Sequence, residues 1–138
     1  MKILIVTEGY RTDTNGVSAV AAMHVDVLRE YGHEVRVLSQ SVGDKCYKEG
    51  DDYFLASHYD IIFTQCKRSG VRNHPLIDEL RNWHPDIVHA HTEGAAGSIA
   101  KAIAYRDNIP LVLTSHTDYP KYIFGCFLHM SGVDISFD

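Results

Sequence analysis

Pro85-Asp86-Ile87-Val88-His89-Ala90-His91-Thr92-Glu93-Gly94-Ala95-Ala96-Gly97 decides the fold. An apolar run ends in two histidines, a threonine and a glutamate, and small residues then open a helix. A strand that passes through a short polar turn into a helix is half of a βαβ unit. In such folds ligands bind at the carboxyl ends of strands, beside helix N-termini that favour anions. The stretch therefore reads as a strand end facing a crevice.

Outward from it the same pattern recurs. A helix from Gly94 or Ala95 to Asp107 puts Ile99, Ala102 and Ile103 on its inner face. Ile109 to Ser115 is a further strand, and Leu111-Val112-Leu113-Thr114-Ser115-His116-Thr117-Asp118-Tyr119 is a second apolar run ending in a histidine. Asp118 to about Phe124 reads as a helical turn. Upstream, His74 to Trp83 is a short helix with Pro75 in its first turn, where the missing N–H costs nothing. At the start of the chain Lys2 to Thr7 is continuously apolar, as suits a parallel strand covered on both faces. A polar loop, Glu8 to Asn15, leads to a helix from about Gly16 to Tyr31. Val17, Val20, Ala21, Val27, Leu28 and Tyr31 recur at helical spacing, and Gly32 closes the helix. Glu34 to Leu38 is the second strand. Ser39 to Ser57 is polar and reads mostly as loop, Asp60 to Gln65 as a third strand and Cys66 to Asn73 as a polar loop. The alternation predicts an α/β fold: an open, mostly parallel sheet with helices on both faces.

The bulk composition agrees. The 138 residues suit one domain, and 45% hydrophobic with 22% charged residues is a globular balance. The net charge of -5 speaks against nucleic acid as a partner, because phosphate binding wants a basic footprint. No apolar run approaches the roughly 20 residues that span a bilayer. The first residues also lack the pattern of a signal peptide, so a cytoplasmic protein is expected. Three scattered cysteines, Cys46, Cys66 and Cys126, form no C-x-x-C pair and suggest structural thiols.

Several residues are site candidates, each with a plainer reading beside it. Asn15-Gly16-Val17-Ser18 opens a helix after a buried strand, so backbone N–H groups could meet a diphosphate; equally, Gly16 merely starts the helix. It is not G-x-G-x-x-G, so no dinucleotide fingerprint is present. His89 and His91 lie two apart and share a face. His89 reads as structural, and His91 and Glu93 as nearer to ligand. A metal pair of the H-x-H kind, completed by Glu93 or His116, is the alternative. Glu93-Gly94-Ala95-Ala96-Gly97-Ser98 offers either an anion or sugar-hydroxyl site or close helix–sheet packing. His116 faces the same cleft as His91, while Thr117 or Asp118 can cap the following helix. Lys67, Arg68, Arg72 and Lys121 read as solvated charges.

These residues converge on a family. Met1-Lys2-Ile3-Leu4-Ile5-Val6-Thr7, Thr14-Asn15-Gly16-Val17-Ser18 and Leu28-Arg29-Glu30-Tyr31-Gly32-His33-Glu34-Val35 resemble the start of retaining GT-B glycosyltransferases of the glycosyltransferase 4 type. The strand ends at His89-Ala90-His91-Thr92-Glu93 and His116-Thr117-Asp118-Tyr119 resemble it again, most of all the branch that glycosylates diacylglycerol and related lipids. The likeness covers about residues 1–124, with 125–138 a divergent tail. It implies a Rossmann-like N-terminal, acceptor-side domain of an enzyme that moves a sugar from a nucleotide sugar, such as a UDP-sugar, to a lipid or glycan. His116 would be the catalytic residue near the transferred sugar. Asn15, Gly16 and Val17 would approach the diphosphate, and His91, Thr92, Glu93, Gly94, Thr117 and Tyr119 would line the substrate. No metal and no cofactor is expected; backbone dipoles and basic side chains would stabilise the leaving nucleotide.

The family's second domain holds most of the donor through an E-x7-E motif, and no two glutamates here have that spacing. Half a cleft neither brings two substrates together nor excludes water. The expectation is an excised domain, a truncated product or one subunit of a split enzyme, needing a C-terminal domain or complementing subunit. The rival readings are a non-catalytic binding module of the same fold and, further off, a metal-dependent hydrolase using His89, His91 and His116. Peripheral membrane contact at the inner face and self-association through the uncovered cleft face are further expectations.

Overall fold

A computed structural model of the chain describes residues 1–11, 13–59, 67–68, 71–116, 118 and 120–121. In chain order the elements are β1 (Lys2–Val6), α1 (Gly16–Glu30), β2 (Glu34–Val42), β3 (Tyr47–Glu49), β4 (Asp52–Tyr59), β5 (Lys67–Arg68), α2 (Pro75–Asn82), β6 (Ile87–Ala90), α3 (Ala95–Asp107) and β7 (Leu111–Leu113). The strands lie in the order β3-β4-β2-β1-β6-β7, with β5 pairing β4 off that path. The pairs β1–β2, β1–β6, β2–β4 and β6–β7 are parallel, and β3 and β5 run antiparallel to β4. The expected α/β, mostly parallel sheet is therefore present.

Alternation along β1 explains the layers. Side chains of successive strand residues leave opposite faces. Leu4 and Val6 enter a core with Ile77 and Leu80 of α2, Val88 of β6, and Ile99 and Ile103 of α3. Ile3 and Ile5 enter the opposite core, with Val25 of α1 and Val35 and Val37 of β2. Helices thus cover both faces, as a doubly wound sheet requires. Burying each such aliphatic side chain stabilises by about 1.5–3 kcal/mol over leaving it exposed.

The helices are bounded as the sequence implies. Asn15 caps α1, its Oδ1 accepting from the Ser18 N–H at 2.9 Å. At the other end Gly32 adopts φ +82. Its N–H reaches the Arg29 carbonyl and that of His33 the Leu28 carbonyl, a Schellman motif that needs a left-handed residue at that place. The inner face of α1 differs from the one the spacing suggested: Ser18, Ala21 and Val25 are buried, whereas Val27 and Tyr31 are exposed. On α3, Ile99 and Ile103 are buried as expected, but Ala102 is exposed and Ala96, Gly97 and Ala100 pack instead.

The main correction concerns Ser39 to Ser57, which reads as loop and is mostly strand. β2 continues to Val42, and β3 and β4 form a hairpin closed by Gly50 and Asp51, with Gly50 at φ +59. Polar residues enter the sheet because their groups are satisfied there. Ser57 Oγ donates to the Ser41 carbonyl at 2.9 Å, and Ser39 Oγ lies 3.4 Å from the Glu8 carbonyl. β4 is the parallel neighbour of β2; the expected strand at 60–65 lies outside the described residues. Lys67–Arg68, expected in a loop, pairs with His58 and Tyr59 of β4. β7 is shorter than the expected Ile109–Ser115. Of the helical turn after Asp118 only residues 120–121 are described as helical, with Asp118 Oδ1 3.4 Å from the Lys121 N–H.

Candidate active site

The sheet places the site by its strand order. β1 has β2 on one side and β6 on the other, so the connections leave it in opposite directions. Such a switch point opens a crevice at the carboxyl ends of the two central strands. Three backbone bonds fix what stands there. Thr7 N–H donates to the Leu38 carbonyl at 3.0 Å, His91 N–H to Val6 at 2.8 Å, and Thr114 N–H to Ala90 at 2.9 Å. The segments after β1, β6 and β7 are thereby held side by side.

Histidines fill that place. His89 leaves β6 on the same side as Ile87, the α1 face. Its ring stacks on that of His91 with centroids 4.3 Å apart. Across the layer His24 of α1 brings Nδ1 to 3.3 Å from His91 Nε2. On the far side of His91, Nδ1 lies 3.0 Å from Nε2 of His116. Nε2 of His89 is 2.8 Å from the Thr114 hydroxyl. His91 is thus enclosed by three imidazoles and is 1% exposed, whereas His116 stands exposed at the mouth.

Burial decides the charge of the enclosed rings. It pushes the His91 pKa down to about 4, and His89, His24 and His116 add smaller repulsive contributions. His89 is lowered for the same reason, by burial first and then by His24 and His116. Both rings are neutral at pH 7, able to accept or donate hydrogen bonds through either nitrogen as the tautomer dictates.

The two helix starts at the crevice differ. Gly16 is exposed, and a Cβ there would meet nothing within 4 Å. Val17 behind it is half-buried. Gly94, at the N-cap of α3, makes no side-chain cap bond; its N–H donates to Thr92 Oγ1 at 3.1 Å. A Cβ on Gly94 would fall on the Glu8 carboxylate, and one on Gly97 would fall on the Thr92 carbonyl. Close packing is therefore present at this helix start. Thr92 is buried and Glu93 half-buried.

Of the residues expected in the site, His91, Thr92, Glu93, Gly94 and His116 are brought to the ends of two neighbouring strands. Asn15, Gly16 and Val17 form the first turn of α1 and its cap, and Asn15 is occupied in capping. Thr117 and Tyr119 lie outside the described residues. His24 was not among the candidates. Its signal was a stripe along α1, Val17-Ala21-His24-Leu28, at the spacing of a buried helix face.

The sequence profile of Glycosyltransferase Family 4 matches residues 14–133. The chain belongs to this family. Among family 4 relatives, an alpha-monoglucosyldiacylglycerol synthase of Acholeplasma laidlawii is 29% identical over 129 residues, covering 88% of this chain and 31% of that protein. A sulfoquinovosyl transferase of Arabidopsis thaliana is 32% identical over 101 residues, 70% of this chain and 19% of its own. A GDP-mannose-dependent alpha-mannosyltransferase of Mycobacterium tuberculosis is 25% identical over 127 residues, 88% of this chain and 34% of its own. The family 4 chain described here thus spans about a third or less of the length of these relatives. Among the described residues no helix is long and apolar enough to cross a membrane.

Proposed function

We propose that this chain is the acceptor-side part of a retaining glycosyltransferase that moves a sugar from a nucleotide sugar to a lipid or glycan. The observation that carries the reading is the meeting of His91 and His116, 3.0 Å apart, from successive strand ends beside the switch point. His116 is exposed and backed by a neutral ring. It is the group to act on the reacting sugar, and His91 holds its orientation through the Nδ1–Nε2 contact. Glu93, half-buried at the same end, lines the acceptor side with Thr92 and Gly94. The open first turn of α1, at Gly16 and Val17, presents N–H groups to the diphosphate, where the helix dipole favours anions. No metal or cofactor is needed for the leaving group, since dipoles and basic side chains stabilise it.

The relatives named for diacylglycerol glucosides favour a lipid acceptor. That acceptor places the work at the inner face of a membrane, from the cytoplasmic side. The donor is held mostly by a second domain or a complementing subunit.

The test is transfer of labelled sugar from UDP-glucose or GDP-mannose to diacylglycerol vesicles by the full polypeptide of the native gene. His116→Ala is expected to lower turnover by roughly 10²–10⁴-fold, the usual worth of positioned proton transfer, with an unchanged melting temperature. Wild-type turnover in that variant removes the role of His116. No transfer by the wild-type polypeptide with either donor, alone or with its neighbouring gene products, favours a binding module of the same fold.

A further inference from the structure

We infer that His24, His89 and His91 form a zinc-binding site that ties α1 to the sheet. One ligating nitrogen from each lies within 4.8 Å of the others. His24 Nδ1 and His91 Nε2 are 3.3 Å apart. Two nitrogens on one tetrahedral zinc, each at about 2.0–2.1 Å from the ion, stand about 3.4 Å from one another. That edge of the tetrahedron is already built, and a ring nitrogen of half-buried His89 lies within 4.8 Å of both as the third corner.

The surroundings fit the same role. A metal-bound imidazole engages its second nitrogen with a neighbouring group, which sets the tautomer and aims the ring. His91 has His116 Nε2 at 3.0 Å from Nδ1, leaving Nε2 for the metal. His89 has Thr114 Oγ1 at 2.8 Å from Nε2, which assigns Nδ1 to the metal. Three imidazoles are ligands of borderline softness and suit zinc over magnesium or calcium, which prefer oxygen. The fourth position is left to water. The three ligands come from one helix and one strand end, His24 and His91 being 67 residues apart. Zinc here therefore fastens the α1 layer to β6.

The experiment uses the full chain, stripped with a chelator and then titrated with zinc chloride. Stoichiometric uptake of one zinc per chain and a raised melting temperature are expected. Cobalt(II) in its place is expected to give the visible absorption of a tetrahedral site. His24→Gln and His89→Gln are each expected to weaken zinc binding by roughly 100-fold or more, beyond the 10–100-fold typical of an outer partner. His58→Gln, at an exposed histidine of β4, is expected to leave it unchanged. Should a variant fail to fold, the wild type still decides: zinc must shift the ring resonances of His24, His89 and His91 together. Sub-stoichiometric uptake, equal affinity in His24→Gln, loss of binding in His58→Gln, or ring shifts elsewhere overturns the site.

Discussion

The two helices that begin at the crevice, α1 and α3, solve the same problem differently. Each follows a parallel strand and starts on small residues. α1 is capped by the Asn15 side chain and presents an open first turn, with empty space where a Gly16 Cβ would stand. α3 has no side-chain cap, and its first turn is pressed onto Thr92 and Glu8. A glycine at a helix start therefore has two meanings. In α3 it permits protein to approach protein; in α1 nothing in the fold requires it. Their inner faces differ as well. α3 packs aliphatic side chains on the sheet, whereas α1 lays His24 against two strand-end histidines.

The sharpest way to break this comparison is Gly97→Ala. The added methyl falls on the Thr92 carbonyl, and backbone cannot yield as a flexible side chain would. We expect a loss of about 3 kcal/mol in urea unfolding, at the upper end of overpacking effects. A loss under about 0.5 kcal/mol would mean that α3 is not held that closely.

Acid separates the two inner faces. The His91 pKa is near 4 in the fold and 6.5 in its ordinary state. Between those values the unfolded chain binds more protons, so stability is fully present above pH 6.5 and falls as pH drops toward 4. For the chelator-treated protein the loss is at most about 3 kcal/mol, from the size of that shift. Hydrogen exchange should show α1 amides losing protection before those of α3; equal loss in both would detach the effect from the histidines.

A smaller effect is expected for Asn15→Ala. Removing the cap leaves the Ser18 N–H without its acceptor and should cost about 1 kcal/mol in thermal unfolding. Smallest of all is Gly16→Ala. Its φ is not in the left-handed region and its surroundings are open. Stability should stay within about 0.5 kcal/mol or rise slightly as the unfolded chain loses freedom. If Gly16→Ala nevertheless weakens nucleotide-sugar use severalfold in the transfer assay, the open turn serves the ligand.

Much of this architecture was legible where burial is complete. β1 carries an unbroken apolar run from Ile3 to Val6 because both its faces are covered, and His91 and His116 were legible as the polar residues that end the runs of β6 and β7. Ser39 to Ser57 was illegible because β2 is a central strand whose polar end is satisfied by partners distant in sequence: Ser39 by Glu8, and Ser41 by Ser57. Its hairpin signal, Gly50-Asp51, was present but short. His24 was missed for another reason. A histidine on a helix shows its partners only when the strand facing it is known, and that strand lies more than sixty residues on. Val27 and Tyr31 fit a helical period yet face solvent, because the period fixes a stripe and not which stripe is covered.

The position of β1 in the middle of the sheet also sets an order in time. Its first partner, β2, follows after one helix, and loop closure over that distance is fast. Its second partner is separated by 84 residues, the span between Ile3 and Ile87 in their pairing. Contacts of such separation form late, since closure entropy precedes their reward. A chain emerging from the ribosome thus holds a half-built sheet, with one flank of β1 unpaired, until β6 has appeared. The histidines come together in that same last step, so their assembly reports completion of folding and not its beginning.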